Sequence, residues 1–287
     1  MMSDFNHSSL QRAGADRPYG LGLALSGGGA RGVAHAGAIK AMLEAGIYPD
    51  IVAGVSAGAI VAALYAAGVD PEDMLDMFAK SKFGDFCALS MPTDGIFKMD
   101  KFYAFLRRKL GYDRIEDLPV PVVITATNFD TGCREAFTSG DLARCVTASC
   151  SIPIVFKPVR IGGVRYVDGG VVANMPAWAI RDKCRYLIGV NCSPLSDVKV
   201  KDNIVQIALR SFELMSKNNA EPEMELCDMV VRTDRIARHK VFDLKGIRSV
   251  FDSGYEYTRA ALASTDIPDY IYEKEPTLPE GGVGLRR

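Results

Sequence analysis

The tightest constraint on this chain is a pair of glycine-rich stretches close together near its start. The second, Gly54-Val55-Ser56-Ala57-Gly58, has the G-x-S-x-G spacing that holds a serine on a sharp turn between a strand and a helix. The first, Ser26-Gly27-Gly28-Gly29-Ala30-Arg31-Gly32, follows an apolar run and opens another predicted helix. Its succession of backbone N–H groups suits a negative charge. Each stretch demands strand, loop and helix in that order, and two such units in succession predict a parallel sheet with helices packed on it. Chemically, the pair supplies an attacking serine and a place to stabilise an oxyanion, which implies a serine hydrolase.

Length and charge set the outer bounds. A chain of 287 residues holds one large domain or two small ones, and a formal net charge of −1 gives no electrostatic reason to expect nucleic acid. Seven cysteines lie scattered at Cys87, Cys133, Cys145, Cys150, Cys184, Cys192 and Cys227, with no C-x-x-C pair. Buried, reduced thiols in a cytoplasmic protein are the expected reading. Residues 1–18 are polar and lack the apolar stretch of a secretory signal, so they read as a flexible leader. Residues 51–69 carry no charge and approach the length of a membrane span. Gly54, Ser56 and Gly58 interrupt them where a turn is wanted, so a short strand, the turn and a helix apolar on all sides explain them better.

Along the chain, apolar runs predict strands at Leu21–Leu25, Ile51–Ala53, Val120–Thr127, Val164–Val167, Tyr186–Asn191 and Met229–Thr233, with Glu135–Thr138 pairing as a hairpin. Helices are expected at Val33–Ala45, Ala57–Ala67, Asp141–Ser149, Asn203–Ser216 and Val250–Leu262, the first two closed by Gly46 and Gly68. Asp70–Gly111 reads as mostly helical and is rich in methionine and phenylalanine. Ordinary core packing explains it, and a flexible apolar lid is the functional alternative. Arg107-Arg108-Lys109, after apolar Phe102–Leu106, is a candidate contact with anionic headgroups or simply a solvated helix face. Residues 19–265 then form one domain, and a peripheral tail follows from 266 to 287.

A serine hydroxyl needs a base. Of the three histidines, His7 lies in the leader, His35 falls one turn into the first helix as a packing residue, and His239 sits among charges and is expected to face solvent. His239 does follow both Ser56 and Asp168, the Ser…Asp…His order of an α/β-hydrolase triad. Against that triad, one strand–helix unit alone precedes the elbow. Asp168 is the stronger candidate, because it ends a predicted strand and precedes Gly169 and Gly170 on a tight turn. A carboxylate with a pKa near 4 is a weak base, so it would need help from the helix behind Ser56 and from the glycine loop.

These blocks, with Ala148-Ser149-Cys150-Ser151-Ile152-Pro153 and Asn174-Met175-Pro176, occur in an order and spacing that resembles the patatin-like phospholipases, bacterial single-domain members above all. That group is related to plant patatin, cytosolic phospholipase A2 and the neuropathy-target-esterase catalytic domain. The resemblance runs from about residue 20 to 262. It implies a three-layer α/β/α sandwich with a mostly parallel sheet, and a Ser56–Asp168 dyad without a catalytic histidine. It also implies an oxyanion hole from Gly27, Gly28 and Gly29, with Gly54, Gly58, Gly169 and Gly170 in support. Arg31 matches the family's basic position in the glycine loop, for loop packing or for phosphate recognition. The resemblance implies that the block at 148–153 shapes the site wall. The resemblance further implies a phospholipid, lysophospholipid or other acyl-ester substrate, no metal or other cofactor, and a transient membrane-surface contact. The alternatives are the Ser56–Asp168–His239 triad and a non-catalytic lipid-binding protein on the same fold.

Overall fold

The computed structural model describes residues 17–80, 88–89, 97–195, 203–241 and 243–272. β1 (Tyr19–Leu25) leads through the glycine loop and a 3-10 turn (Gly29–Gly32) into α1 (Val33–Glu44). β2 (Ile51–Val55) leads through Ser56 into α2 (Ala57–Ala66). After α3 (Pro71–Ala79) come the short antiparallel strands β3 (Ala88–Leu89) and β4 (Phe97–Lys98), then α4 (Asp100–Leu110). The second half contains β5 (Val122–Asn128), β6 (Arg134–Phe137), α5 (Leu142–Ser149), β7 (Val159–Ile161) and β8 (Val164–Asp168). It closes with β9 (Cys184–Asn191), α6 (Ile204–Met224), β10 (Met229–Arg232) and α7 (Ile247–Ser264).

The main sheet runs β10-β9-β1-β2-β5-β8-β7, with β6 also on β5. The five strands from β10 to β5 are mutually parallel, while β6, β7 and β8 pair antiparallel. Both faces of the parallel strands are covered, which is why they read as continuous apolar runs. Leu21, Leu23, Leu25, Val52, Ile124 and Ile188 pack with α1, α2, α5 and α7 in one buried cluster. Ala24, Ile51, Ala53, Val123 and Leu187 face the other way, onto Met175, Ala177, Ile180 and two α6 residues, Ala220 and Met224. The fold is therefore an α/β/α sandwich. Its second outer layer is α6 together with 3-10 turns such as Pro176–Ala179.

Chain direction explains where that layer lies. From β1 to β2 to β5 the chain steps one way across the sheet, and from β9 to β10 it steps the other way. Right-handed crossovers then put α1 and α2 on one face and α6 on the opposite face. The order reverses between β1 and β9, and the loops leaving the carboxyl ends of those two strands diverge there, the usual place for a ligand crevice in an open α/β sheet.

The uncharged stretch 51–69 is the strand, the elbow and α2, every residue of which is buried. Among the described residues no helix is long and apolar enough to cross a membrane. Local signals hold at several ends. Asp70 and Asp141 accept hydrogen bonds from Glu72 N and Arg144 N at the starts of α3 and α5, and Gly46 and Gly68 take positive φ after α1 and α2.

Four expectations need correction. The helical reading of Asp70–Gly111 fails at β3 and β4, and Phe83, Phe86 and Met91 lie outside the described residues. The helix expected to stop at Ser216 continues to Met224 through Pro222, because Ala220 and Met224 bury against the sheet and override the proline. The tail boundary at 265 falls short, since Ile267 and Ile271 are buried in the main core. Cys133 is exposed, whereas Cys145, Cys150, Cys184 and Cys192 are buried thiols and Cys87 lies outside the described residues.

Candidate active site

Ser56 sits at φ 52°, ψ −122°, a left-handed conformation that a non-glycine residue adopts only when its surroundings enforce it. The two flanking glycines make the turn possible by close approach. A Cβ on Gly54 would lie 2.4 Å from Gly58 O, and one on Gly58 would lie 2.2 Å from Leu25 O. No side chain larger than hydrogen fits at either position. Ser149 fixes the elbow from behind: its Oγ accepts from Ser56 N at 2.7 Å and donates to Thr125 O at 2.6 Å. The hydroxyl is thereby presented at the N-terminus of α2, whose dipole favours negative charge there.

Strand register brings the carboxylate to the serine. Along β5, Ile124 and Thr125 pair with β2 on one edge and β6 on the other, while Ala126 pairs with β6 and with Asp168 of β8. β2 and β8 must therefore lie end to end on the same edge of β5. β2 stops at Val55, the chain turns at Ser56, and β8 arrives from the opposite direction and stops at Asp168. Ser56 Oγ donates to Asp168 Oδ2 at 2.6 Å. Gly170 N donates to Oδ1 at 2.8 Å, and Thr127 Oγ1 donates to the Asp168 carbonyl at 3.0 Å. Asp168 is completely buried, and that burial raises its pKa to about 7 despite the two hydrogen bonds that favour the anion.

The glycine loop divides. Gly27 N–H donates to Asn174 O at 3.2 Å, so this amide is already engaged and the expectation of three equivalent donors is corrected. Gly28 and Gly29 have amides with no acceptor among the described residues, and both line one cleft together with Ser56. Gly27 O accepts from Ser193 Oγ at 2.5 Å and from Ser26 Oγ at 2.9 Å. Carbonyl and following N–H are antiparallel in a trans peptide, so fixing Gly27 O fixes the direction of Gly28 N–H. Ser193 is itself held by Asn174 Nδ2 at 3.0 Å.

His35 is a packing residue, as expected. It is completely buried, and burial lowers its pKa to about 4. Its Nε2 faces Ser26 O at 2.8 Å, so Nε2 carries the proton and Nδ1 accepts from the Cys192 thiol at 3.3 Å. His239 departs from expectation: it is half-buried in the cleft wall, with Nε2 on Asp243 O at 2.6 Å. Ser56 and Asp168 meet directly, with no imidazole between them.

Arg31 is a strut. Its Nε donates to His239 O at 2.7 Å, its Nη1 to Pro194 O at 3.0 Å and its Nη2 to Ala237 O at 3.3 Å, while Glu213 lies 3.9 Å away. These donors are taken up in tying the glycine loop to the segments after β9 and β10.

The cleft occupies about 800 Å³ at the reversal between β1 and β9. Ile152, Leu209, Phe212 and Val241 give it an apolar side, and α6 and residues 237–241 form its far wall. None of its described lining comes from Asp70–Gly111, so the alternative reading of that segment as a lid gains no support among the described residues. Phe102, Phe105 and Leu106 turn inward to the core and Arg107 pairs with Asp113, so these apolar residues do not form an exposed face beside the basic run. Among the described residues no three His, Cys, Asp or Glu side chains cluster to hold a metal.

Ser193 and Asn219 carry no motif in the sequence, and Ser149 stands there only within the wall block 148–153. Ser216 Oγ and Asn219 Nδ2 both hold Gly170 O, at 2.9 and 3.0 Å. A signal for Ser193 existed in its place two residues past the end of a buried strand at the sheet's reversal point.

Comparison with known proteins agrees with this arrangement of blocks. Residues 23–180 match the family model described as patatin-like phospholipase. An uncharacterised NTE family protein of Mycobacterium tuberculosis strain H37Rv is 30% identical over 254 residues, covering 85% of this chain and 63% of that protein. The neuropathy target esterase of Drosophila melanogaster is 33% identical over 188 residues, covering 62% of this chain and 13% of the relative. The chain thus spans less than two thirds of the length of these curated relatives. The crystal structure of VipD from Legionella pneumophila superposes with a TM-score of 0.49 at 16% identity, over 88% of this chain and 68% of that one. The family match starts in β1, passes through both glycine stretches and the Asp168 turn, and takes in more than half of the residues, so this chain belongs to the patatin-like phospholipase family.

Proposed function

We propose that this protein is a serine acyl-ester hydrolase acting on lipid esters, with Ser56 as nucleophile and Asp168 as its base. The observation that carries the reading is the 2.6 Å contact between the Ser56 hydroxyl and a buried carboxylate whose pKa lies at about 7. Burial supplies what an ordinary aspartate lacks, a proton affinity matched to neutral pH. Ser56 attacks the ester carbonyl and gives its proton to Asp168. The oxyanion settles against the amides of Gly28 and Gly29, and the leaving alcohol takes the proton back from Asp168. Water, deprotonated by the same carboxylate, then cleaves the acyl-enzyme. The family match and a relative from Aspergillus fumigatus named as a lysophospholipase, 35% identical over 161 residues, support a lipid ester as the substrate.

A fluorophosphonate probe tests this directly. Folded wild-type protein is expected to label at Ser56, and S56A to remain unlabelled with its fold intact by circular dichroism. Hydrolysis of p-nitrophenyl esters should vanish in S56A and fall by several orders of magnitude in D168N, while H239A keeps activity within a fewfold of wild type. Failure of the folded wild type to label, or collapse of activity in H239A, would overturn the assignment.

A further inference from the structure

The walls of the cleft carry cations at Arg31, Arg210, Arg238 and Lys240. The first two are engaged. Arg31 holds three backbone carbonyls, and Arg210 pairs with Glu213 at 3.1 Å. Arg238 and Lys240 differ: both are exposed on the cleft wall, and neither has a carboxylate partner among the described residues. Of the acids on the wall, Glu213 serves Arg31 and Arg210, and Asp243 forms no ion pair with either cation among the described residues, its Oδ1 accepting from Lys245 N at 2.9 Å.

Backbone geometry puts these two cations in a fixed relation to the reaction site. Ala237 O, His239 O and Val241 O accept from Arg31 Nη2, Arg31 Nε and Ala30 N at 3.3, 2.7 and 2.7 Å. Three carbonyls of this segment thus point at the glycine loop. Arg238 closes the 3-10 turn Asp234–Arg238 and His239 is extended at φ −74°, ψ 130°, and Arg238 and Lys240 both line the cleft. The residues that follow the Gly28 and Gly29 amides therefore clamp the segment that carries the free cations.

We propose that Arg238 and Lys240 form a phosphate subsite of the cleft, so that the favoured substrate is a phosphate-bearing lipid ester rather than a neutral one. This rests on the acyl-hydrolase reading of Ser56. Arg238 offers a planar fork of donors to phosphate oxygens and Lys240 a compact charge. The apolar side at Ile152, Leu209 and Phe212 receives the acyl chain. Arg31, the cation in the glycine loop, cannot read phosphate while it holds the carbonyls.

The test compares a short-chain lysophospholipid with the matching neutral monoacylglycerol, both below their micelle concentrations. R238Q and K240Q are each expected to lower kcat/KM on the phosphate-bearing ester about tenfold, and the double variant about a hundredfold, as for loss of charge-assisted hydrogen bonds. Hydrolysis of the neutral ester should stay within twofold. An ether analogue of the lysophospholipid, which cannot be cleaved, should bind S56A protein and lose affinity by the same factors. Equal losses on both esters would make the pair structural, and no loss on either would remove the subsite. A loss seen only on anionic vesicles would assign the cations to the membrane surface instead. If the ether analogue binds as expected while wild type cleaves neither ester, the subsite stands and the hydrolase reading fails.

Discussion

At the scale of single residues, the site depends on what burial does to one carboxylate. From the sequence, Asp168 is legible as the end of a strand before two glycines, and its weakness as a base is the difficulty. The remedy is invisible there, because complete burial depends on β8 abutting the end of β2 along one edge of β5. With Asp168 as the proposed base, a pKa near 7 should make kcat/KM for an acyl ester rise with pH to a plateau, with a midpoint near 7 for the free enzyme. A midpoint near 4 in a pH–rate profile would show that burial does not tune the base. Ser193 illustrates the other kind of hidden residue. It touches neither Ser56 nor Asp168 in the hydrogen bonds described, yet its hydroxyl sets the Gly27 peptide and through it the Gly28 amide. Removing an oxyanion donor outright typically costs about 10²–10³ in kcat, so loosening one should cost about tenfold. S193A is therefore expected to lower kcat about tenfold with KM within twofold, and S193T to restore it. A rise in KM at constant kcat would place Ser193 in substrate binding.

At the scale of elements, period and punctuation read well wherever burial is two-sided and caps are local. β1, α1, α2 and β9 fall within a few residues of their expected bounds, because apolar runs and closing glycines record them directly. The pair β3 and β4 and the extension of α6 past Pro222 were not legible, since tertiary contacts rather than local preference decide them. Gly37 and Gly254 record such a contact. A Cβ on Gly37 would lie 2.0 Å from Phe251 O, and one on Gly254 would lie 1.9 Å from Ala34 O. The backbones of α1 and α7 therefore touch through facing glycines. Helix propensity alone makes glycine-to-alanine stabilising by about 1 kcal/mol. Overpacking against rigid backbone opposes this with typically 1–3 kcal/mol or more. G37A and G254A should each lower the melting temperature, by roughly 2–4 °C per kcal/mol of net loss. A higher melting temperature in either variant would mean that α1 and α7 are not packed backbone to backbone.

At the scale of the whole molecule, the glycine loop and the elbow place two buried titratable groups in the same core, and their effects on folding oppose each other. His35 is held neutral, with its pKa lowered from 6.5 to about 4 by burial. Between those values the unfolded chain binds the extra proton, so this group makes stability fall as pH drops from 6.5 to 4. Asp168 is shifted the other way, from 3.8 to about 7. Between those values the folded protein holds the extra proton, so this group makes stability fall as pH rises from 4 to 7. Each contributes a slope of about 1.4 kcal/mol per pH unit, with opposite sign and over nearly the same window. In wild type the two slopes nearly cancel. Substituting one group exposes the other. D168N should show stability rising with pH between 4 and 6.5, and H35Q should show stability falling between 4 and 7, each relative to wild type in urea unfolding at a series of pH values. The slope is read independently of any constant loss caused by the substitution, so a uniformly weaker H35Q protein still reports on Asp168. D168N should also exceed wild type in stability at pH 8, where the buried anion no longer has to be accommodated, even as the proposed mechanism expects its activity to fall. Parallel pH profiles for wild type and both variants would mean that neither group is shifted by burial. The neutral-pH base proposed for Ser56 would then lose its physical support.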